Sequence, residues 1–391
     1  MERKAQPMRR EVSANLSVLA AMVVGILLIG VFGPAGVQAQ TYTVLGRFHG
    51  GDGKGPGGRL VPDAQGNLYG TTIEGGKDSL GTIYRYEMAT GRLIDLYAFK
   101  ADGQDGSLPM AELLRTADGT FYGTTYYGGV NNFGTVFMLT PGNTESVVHS
   151  FDSTTGEYPY GGLIQDGDGN LYGMTSAGGS YGFGTLFKLD ASGITVLFNF
   201  ADYSGTTPLG TPLLVGKRLY GLTSKGGQYG GGTLFRMSLS DGSFAVVHSF
   251  GADAASGINP SGTLARDGQG NLYGITNNGG KGYCGTIFKM TPDKEMTTLF
   301  TFIGYRFGCH SSSNLLIDAA GALYGTLTGG PLGCRGAVFR LETNGRYTLL
   351  HGFDRHEGTP SRGVYMDAAG VLYGAAGSTY LPPGLIYSIA P

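Results

Sequence analysis

The 391-residue chain has 72 Gly, no Trp, and 27 Lys+Arg against 29 Asp+Glu, a formal charge of −2. That near-balance, with no Lys/Arg cluster beyond Arg10, argues against nucleic acid as a partner, because phosphate backbones require a concentrated basic surface. The glycine follows no collagen period and no long Ser/Pro tracts, so it points to many tight turns rather than disorder.

The N-terminus stands apart. Arg3, Lys4, Arg9 and Arg10 precede an apolar run, LSVLAAMVVGILLIGVFG, then Pro34 and the small-residue site Val37-Gln38-Ala39. This predicts a secretory leader over residues 1–39, cleaved after Ala39. The competing expectation is an uncleaved anchor, since the run is nearly long enough to span a bilayer. Cleavage removes four basic and two acidic residues and leaves a mature charge of −4. No later apolar run is long enough to span, so the expectation is one domain over residues 40–391, secreted or in the periplasm or cell envelope.

From residue 42 onward the chain repeats itself. The phrase GNLYGTTIEGG begins at Gly66, GNLYGMTSAGG at Gly169 and GNLYGITNNGG at Gly270. The tyrosine of the L-Y-G phrase falls at Tyr69, Tyr122, Tyr172, Tyr220, Tyr273, Tyr324 and Tyr373. These mark seven units of about fifty residues. Each unit predicts four short strands, A to D, bounded by Gly, Asp, Asn or Ser; unit three shows GGLIQD, NLYGMT, GTLFKLD and ITVLFNF. D-x-x-G joins A to B in most units, Asp166 to Gly169 for instance, and reads as a turn rather than a calcium loop. Strand D ends in Phe99, Phe151, Phe200, Phe250, Phe302 and Phe353. The seventh such Phe is Phe48, upstream of the first A strand, while unit seven stops after strand C. A closed ring requires that phase shift, because the first strand then completes the last blade and no sheet edge stays open. The fold expected is all-β: a seven-bladed β-propeller of four-stranded blades, closed by Tyr42–Phe48 beside Leu385–Ala390.

GNLYGTT-x-x-GG followed by G-T-V-F and then L-x-x-F resembles the bacterial GloVer tandem repeats, over Tyr42 to Ala390. The resemblance implies an exported bacterial protein, often with a separate surface-anchor signal, and supplies no catalytic residues. No C-terminal anchor signal is recognisable here, which leaves surface attachment without sequence support.

In this strand order the B–C and D–A loops share one face, called the top face below; binding residues collect on such long loops. The B–C loops carry Tyr126, Tyr127, Phe133, Tyr181, Phe183, Tyr229 and Tyr283, whose flat rings with polar tips suit sugars or protein partners, or pack between blades. His149, His248 and His351 sit two residues before the strand-D Phe, where other units have Tyr97, Phe198 and Phe300, so they read as packing positions. His49, His310 and His356 lie in consecutive D–A loops and are the candidates for acid/base chemistry. Asp52 and Asp105 recur before a D–A proline and are the weak cation candidates. Cys284, Cys309 and Cys334 fall in one sector of the top face. Export favours a disulfide, expected as Cys309–Cys334 with Cys284–Cys309 second and a zinc site with His310 third.

The leading functional expectation is therefore a monomeric, exported, non-catalytic propeller. Its expected partner is carbohydrate or another surface protein, with no cofactor, no resident metal, no nucleic acid and no membrane span after cleavage. The alternatives are a hydrolase or lyase using loop His and carboxylates, and a structural envelope component.

Overall fold

A computed structural model describes residues 40–311, 313–378 and 383–390. The expected leader, residues 1–39, lies outside the described residues. Residues 40–391 group as a single unit, and among the described residues no helix is long and apolar enough to cross a membrane.

The seven units form seven antiparallel sheets in the order A-B-C-D, with a separate two-stranded ribbon in unit two between Gly106–Ser107 and Tyr127–Gly128. Unit three shows the pattern: Ile164–Gln165 pairs with Leu171–Thr175, which pairs with Thr185–Asp190, which pairs with Gly193–Asn199. Among the described residues helical structure is limited to single turns, the longest being Gly304–Phe307 in the D–A loop after blade five. The ring closes as expected. Thr41–Arg47 pairs antiparallel with Leu385–Ala390 and becomes strand D of blade seven. The next contacts lock the seam: the Phe48 N–H donates to the Gly384 carbonyl at 2.9 Å, and that of Gly55 to Pro383 at 2.8 Å.

The repeated phrase has a steric cause. The glycine of each L-Y-G lies under an aromatic ring of strand C. A Cβ on Gly173 would come within 2.5 Å of the Phe187 ring, and one on Gly374 within 2.3 Å of the Tyr387 hydroxyl. Removing the side chain on B lets the ring on C enter the core, where Phe137, Phe187, Phe235 and Phe339 are fully buried. The tyrosine of the phrase ties down the A–B turn. Asp166 Oδ1 accepts from the Asp168 and Asn170 N–H groups, and its Oδ2 accepts from Asn170 Nδ2 and the Tyr172 hydroxyl at 2.8 Å. Asp267 repeats the arrangement with Tyr273. Both oxygens are spent on the turn, as the turn reading predicts. The threonine that follows pairs with the threonine opening strand C: Thr72 with Thr82, Thr175 with Thr185 and Thr276 with Thr286, each at 2.9 Å and fully buried. Finally the seven strand-D phenylalanines are 0–3% exposed, each wedged between its own sheet and the next.

The strand-D position two residues before that Phe makes the joint between blades. Phe198 stacks on Phe244 at 3.7 Å, Phe300 on Tyr347 at 4.9 Å and His351 on Tyr42 at 3.6 Å. Each pair joins the end of one outer strand to the start of the next. His149 and His248 occupy the same register and meet Phe151 and Phe250 edge-on. Burial holds both imidazoles below their usual pKa, so neutral rings pack where aromatics pack elsewhere.

Candidate binding face and axial channel

Strand A is broken at the axis in six blades, because the residues after the D–A proline turn inward. Three glycines make the approach possible. A Cβ on Gly161 would meet the Gly210 carbonyl at 2.2 Å, and one on Gly210 would meet that of Gly262 at 2.1 Å. Backbone therefore packs on backbone from blade three to blade five, and the channel narrows.

One residue further along, the repeat places Arg59, Glu112, Gly162, Thr211, Thr263, Asn314 and Gly363 on the axis. Five of these form a polar belt across the channel. Glu112 Oε1 accepts from the Thr211 hydroxyl at 2.8 Å, and its Oε2 accepts from Asn314 Nδ2 at 2.7 Å. Thr263 N–H donates to Asn314 Oδ1 at 2.9 Å, and Gly162 N–H to the Thr211 hydroxyl at 2.8 Å. Below the belt a vestibule of about 500 Å³ opens toward the A–B turns, walled by Leu114, Ile164 and Leu213. Above it Arg362 of blade seven crosses the channel and lays its guanidinium 3.8 Å over the Tyr160 ring of blade three. Arg362 keeps some accessible surface yet is surrounded on every side by protein. That burial draws its pKa below the ordinary guanidinium range, while Tyr160 and Glu112 oppose the shift. The guanidinium is taken as charged, because arginine keeps its proton even inside proteins.

Tyr160 leads outward to the top-face aromatics. Its ring lies 6.0 Å from Tyr126. Tyr126 stacks on Tyr158 at 5.2 Å and meets Tyr127 edge-on at 4.7 Å, and Phe133 closes the cluster against Tyr158 at 5.8 Å. Burial raises the phenol pKa of Tyr126 and of Tyr158, so both hydroxyls stay neutral. Thus Tyr126, Tyr127 and Phe133, expected from the sequence, are brought together. The other expected rings are not part of this cluster. Tyr181, Phe183, Tyr229 and Tyr283 are exposed at 61%, 38%, 50% and 77% and lie on the next three B–C loops, Tyr181 and Phe183 sharing that of blade three. Tyr158, Tyr160, Arg362 and Glu112 were not singled out by the sequence. The available signal was register, and only for Arg362, which breaks a column of Gly, Ala and Ser two residues after the D–A proline; the columns of Tyr158, Tyr160 and Glu112 are too varied to mark them.

Tyr158 also carries a backbone signature. Leu108, Tyr158, Thr207, Asn259 and His310 hold φ between 55° and 58°, at the same point of five D–A loops. The left-handed conformation costs energy in a residue with a Cβ. Two hydrogen bonds offset it. The Tyr158 N–H donates to the Phe133 carbonyl of the preceding blade, and its carbonyl accepts from Ser176 of its own blade. Leu108 and Thr207 do the same between their own neighbours. The strained residues thus stitch successive blades and stand their side chains on the top face.

The histidines expected in the D–A loops remain apart. The His49 ring faces Asp52 at 3.4 Å, His356 faces its neighbour Arg355, and His310 is one of the stitching residues. Asp52 bonds the His49 N–H, whereas Asp105 accepts from the Tyr97 hydroxyl and the Lys100 N–H, so neither carboxylate is free to hold a cation. Among the described residues no group of three or more His, Cys, Asp or Glu is placed to hold a metal ion.

The cysteine expectation is corrected. The disulfide joins Cys284 to Cys309, with Cα atoms 4.5 Å apart, and Cys334 is free. The Cys309–Cys334 pairing assumed that the D–A loop follows the sheet it enters. Instead this loop folds back over blade five, where the His310 N–H reaches the Cys284 carbonyl at 3.4 Å. Cys334 turns outward under Gly352. Two of the three thiols are spent, which removes the zinc arrangement with His310.

The family profile of the Gloeobacter/Verrucomicrobia repeat matches residues 34–218 and again 205–381. The chain belongs to this repeat family. Among curated proteins none matches the sequence. The solved structures it resembles share the fold alone. Virginiamycin B lyase from Staphylococcus aureus is 14% identical, with a TM-score of 0.62 over 90% of this chain and 99% of that one. A streptogramin B lyase is 13% identical with a TM-score of 0.60, over 90% and 97%. Oligogalacturonate lyase from Vibrio parahaemolyticus is 13% identical with a TM-score of 0.55, over 89% and 93%.

Proposed function

We propose that this repeat protein is an exported, non-catalytic propeller that binds a carbohydrate on its top face, at the mouth of the axial channel. The observation that carries the reading is the contiguous aromatic cluster of Tyr126, Tyr127, Tyr158 and Phe133, continued by Tyr160 under Arg362. Neutral phenols offer flat apolar faces to sugar rings and hydroxyls to their rims, and contiguity separates a binding surface from scattered exposed rings. The polar belt below closes the channel, so a ligand rests on the mouth rather than threading through.

The lyase names of the fold neighbours make cleavage the rival reading. It has less support here. Both Glu112 oxygens already accept hydrogen bonds, and the loop histidines are separate. A glycan array probed with the protein from residue 40 onward, followed by Tyr127→Ala and Tyr160→Ala, tests the proposal. Expected are saturable glycan binding and a loss of tenfold or more in both variants at unchanged melting temperature. Retained protein binding without any glycan binding would move the reading to a protein partner, and turnover of a bound glycan would move it to the lyase class.

A further inference from the structure

The opposite, bottom face holds a cavity of about 290 Å³ between blades four and five, ringed by Arg218, Arg236, Arg266 and Lys294. We propose that it binds a small polyvalent oxyanion, a molecule carrying carboxylate, sulfate or phosphate groups. It is independent of the top-face reading.

The repeat supplies the reason. In blades one, three, four, five and six, strand C places a cation opposite the L-Y-G tyrosine: Arg85, Lys188, Arg236, Lys289 and Arg340. In three of them an acid two residues on neutralises it, as Arg85–Glu87, Lys188–Asp190 and Arg340–Glu342. Blade four keeps the cation and has Ser238 where the acid would stand. It lacks the second carboxylate of the repeat as well. Its A–B turn is shortened to Val215-Gly216-Lys217, so the aspartate that holds the tyrosine hydroxyl in blades one, three, five, six and seven is missing beside Tyr220. Arg218 enters the same turn. Arg266 and Lys294 arrive from the A–B and C–D turns of blade five, with Thr291 rather than an acid before Lys294.

The result is a pocket in which both anions of the repeat are deleted and four cations converge. None of the four makes an ion pair among the described residues, and no carboxylate lines the cavity. The neighbouring Asp267 is held by Asn271 and Tyr273. Converging guanidinium groups recognise planar or tetrahedral oxyanions through paired N–H donors, and a bound anion would replace the missing Glu and Asp. Tyr220, Val247 and Met290 give the cavity an apolar side. Its volume lies at the lower limit for small-molecule sites, which favours one compact ligand.

The test is calorimetric titration of the protein from residue 40 onward with inorganic phosphate, sulfate and digalacturonate, each at low and high salt. Saturable binding that weakens with salt is expected for at least one probe. The uronate alone would assign a sugar acid, and phosphate or sulfate alone would assign an ester of that acid. Arg236→Gln should weaken binding tenfold or more. Ser238→Glu restores the pair found in blades one and six, so it should abolish binding while leaving the melting temperature unchanged or higher. Arg85→Gln, the same register in a blade that keeps its acid, should leave binding unaltered. The proposal is overturned if no probe saturates, or if Arg236→Gln and Ser238→Glu bind as the parent does.

Discussion

At the scale of single residues, the side chains that depart from the repeat carry the specific chemistry, and two of them give direct tests. Glu112 is the only carboxylate on the axial belt, and it holds Thr211, Asn314 and the charge of Arg362 together. Glu112→Gln sets an amide donor against Asn314 or Thr211 and removes the counter-charge. A loss of about 1–3 kcal/mol is expected in denaturant unfolding; unchanged stability would show the belt to be idle. Glu145, at the start of strand D in blade two, lies beside the Tyr97 and Asp105 pair of the joint with blade one. Its carboxyl is pushed up to about 7 from 4.5, first by burial and then by the Asp105 charge. The Tyr97 hydroxyl is already given to Asp105 at 2.5 Å, and Glu145 Oε1 has no partner. A carboxyl raised in the folded state binds its proton more tightly folded than unfolded. The parent protein therefore loses stability as pH rises from about 4.5 to about 7. Glu145→Gln should match the parent below that window and exceed it above by on the order of 1–2 kcal/mol, after discounting for partial exposure. Thermal melts at several pH values decide it; a constant difference across the window would remove the carboxyl from the account.

At the scale of elements, periodic features were legible in the sequence and exceptional ones were not. Seven strand quartets, the Asp turns, the strand-D phenylalanines and the packing role of His149 and His248 all follow from what recurs, because recurrence at fixed spacing reports a shared environment. The LYG glycine follows the same logic, and Gly173→Ala should cost about 1–3 kcal/mol because its Cβ would strike the Phe187 ring. Loop direction left no such signal. The D–A loops stitch to the blade before them, through backbone bonds that composition does not encode. That is why Cys309 meets Cys284 rather than Cys334. The axial belt was equally hidden: Glu112, Thr211 and Asn314 are distant in sequence and meet only when the ring closes. Part of the aromatic face was legible as a composition of Tyr in B–C loops, but which rings touch depended on the positive-φ turn at Tyr158. The disulfide is directly checkable. Non-reducing peptide mapping should recover Cys284 linked to Cys309 and an alkylatable Cys334. The bridge closes a 25-residue separation and should contribute on the order of 3 kcal/mol, so reduction should lower the melting temperature measurably.

For the whole molecule, the decisive element is the N-terminal strand. Six blades are built from contiguous sequence, while the seventh joins the two ends of the domain through Thr41–Arg47 and Leu385–Ala390. Three kinds of contact converge on it. The backbone ladder covers an otherwise open edge, Phe48 fills the seam at 3% exposure, and Tyr42 stacks on His351 across the joint with blade six. Because each sheet packs chiefly on its two neighbours, with only the axial belt reaching across, an open ring exposes the two faces of one broken interface as well as the sheet edge. Deletion of residues 41–49 should therefore do more than remove nine residues of burial. It should broaden the calorimetric transition and drive aggregation visible by light scattering. Tyr42→Ala keeps the ladder and loses only the ring's contacts with His351, Phe353 and Tyr387, so it should remain monodisperse and lose about 1–3 kcal/mol. A truncated protein that melts with the parent's sharpness and midpoint would mean that the first strand merely decorates a ring already closed by blades one and seven. Aggregation of the truncation alongside a folded, modestly weakened Tyr42→Ala would locate closure in the strand's backbone and in Phe48.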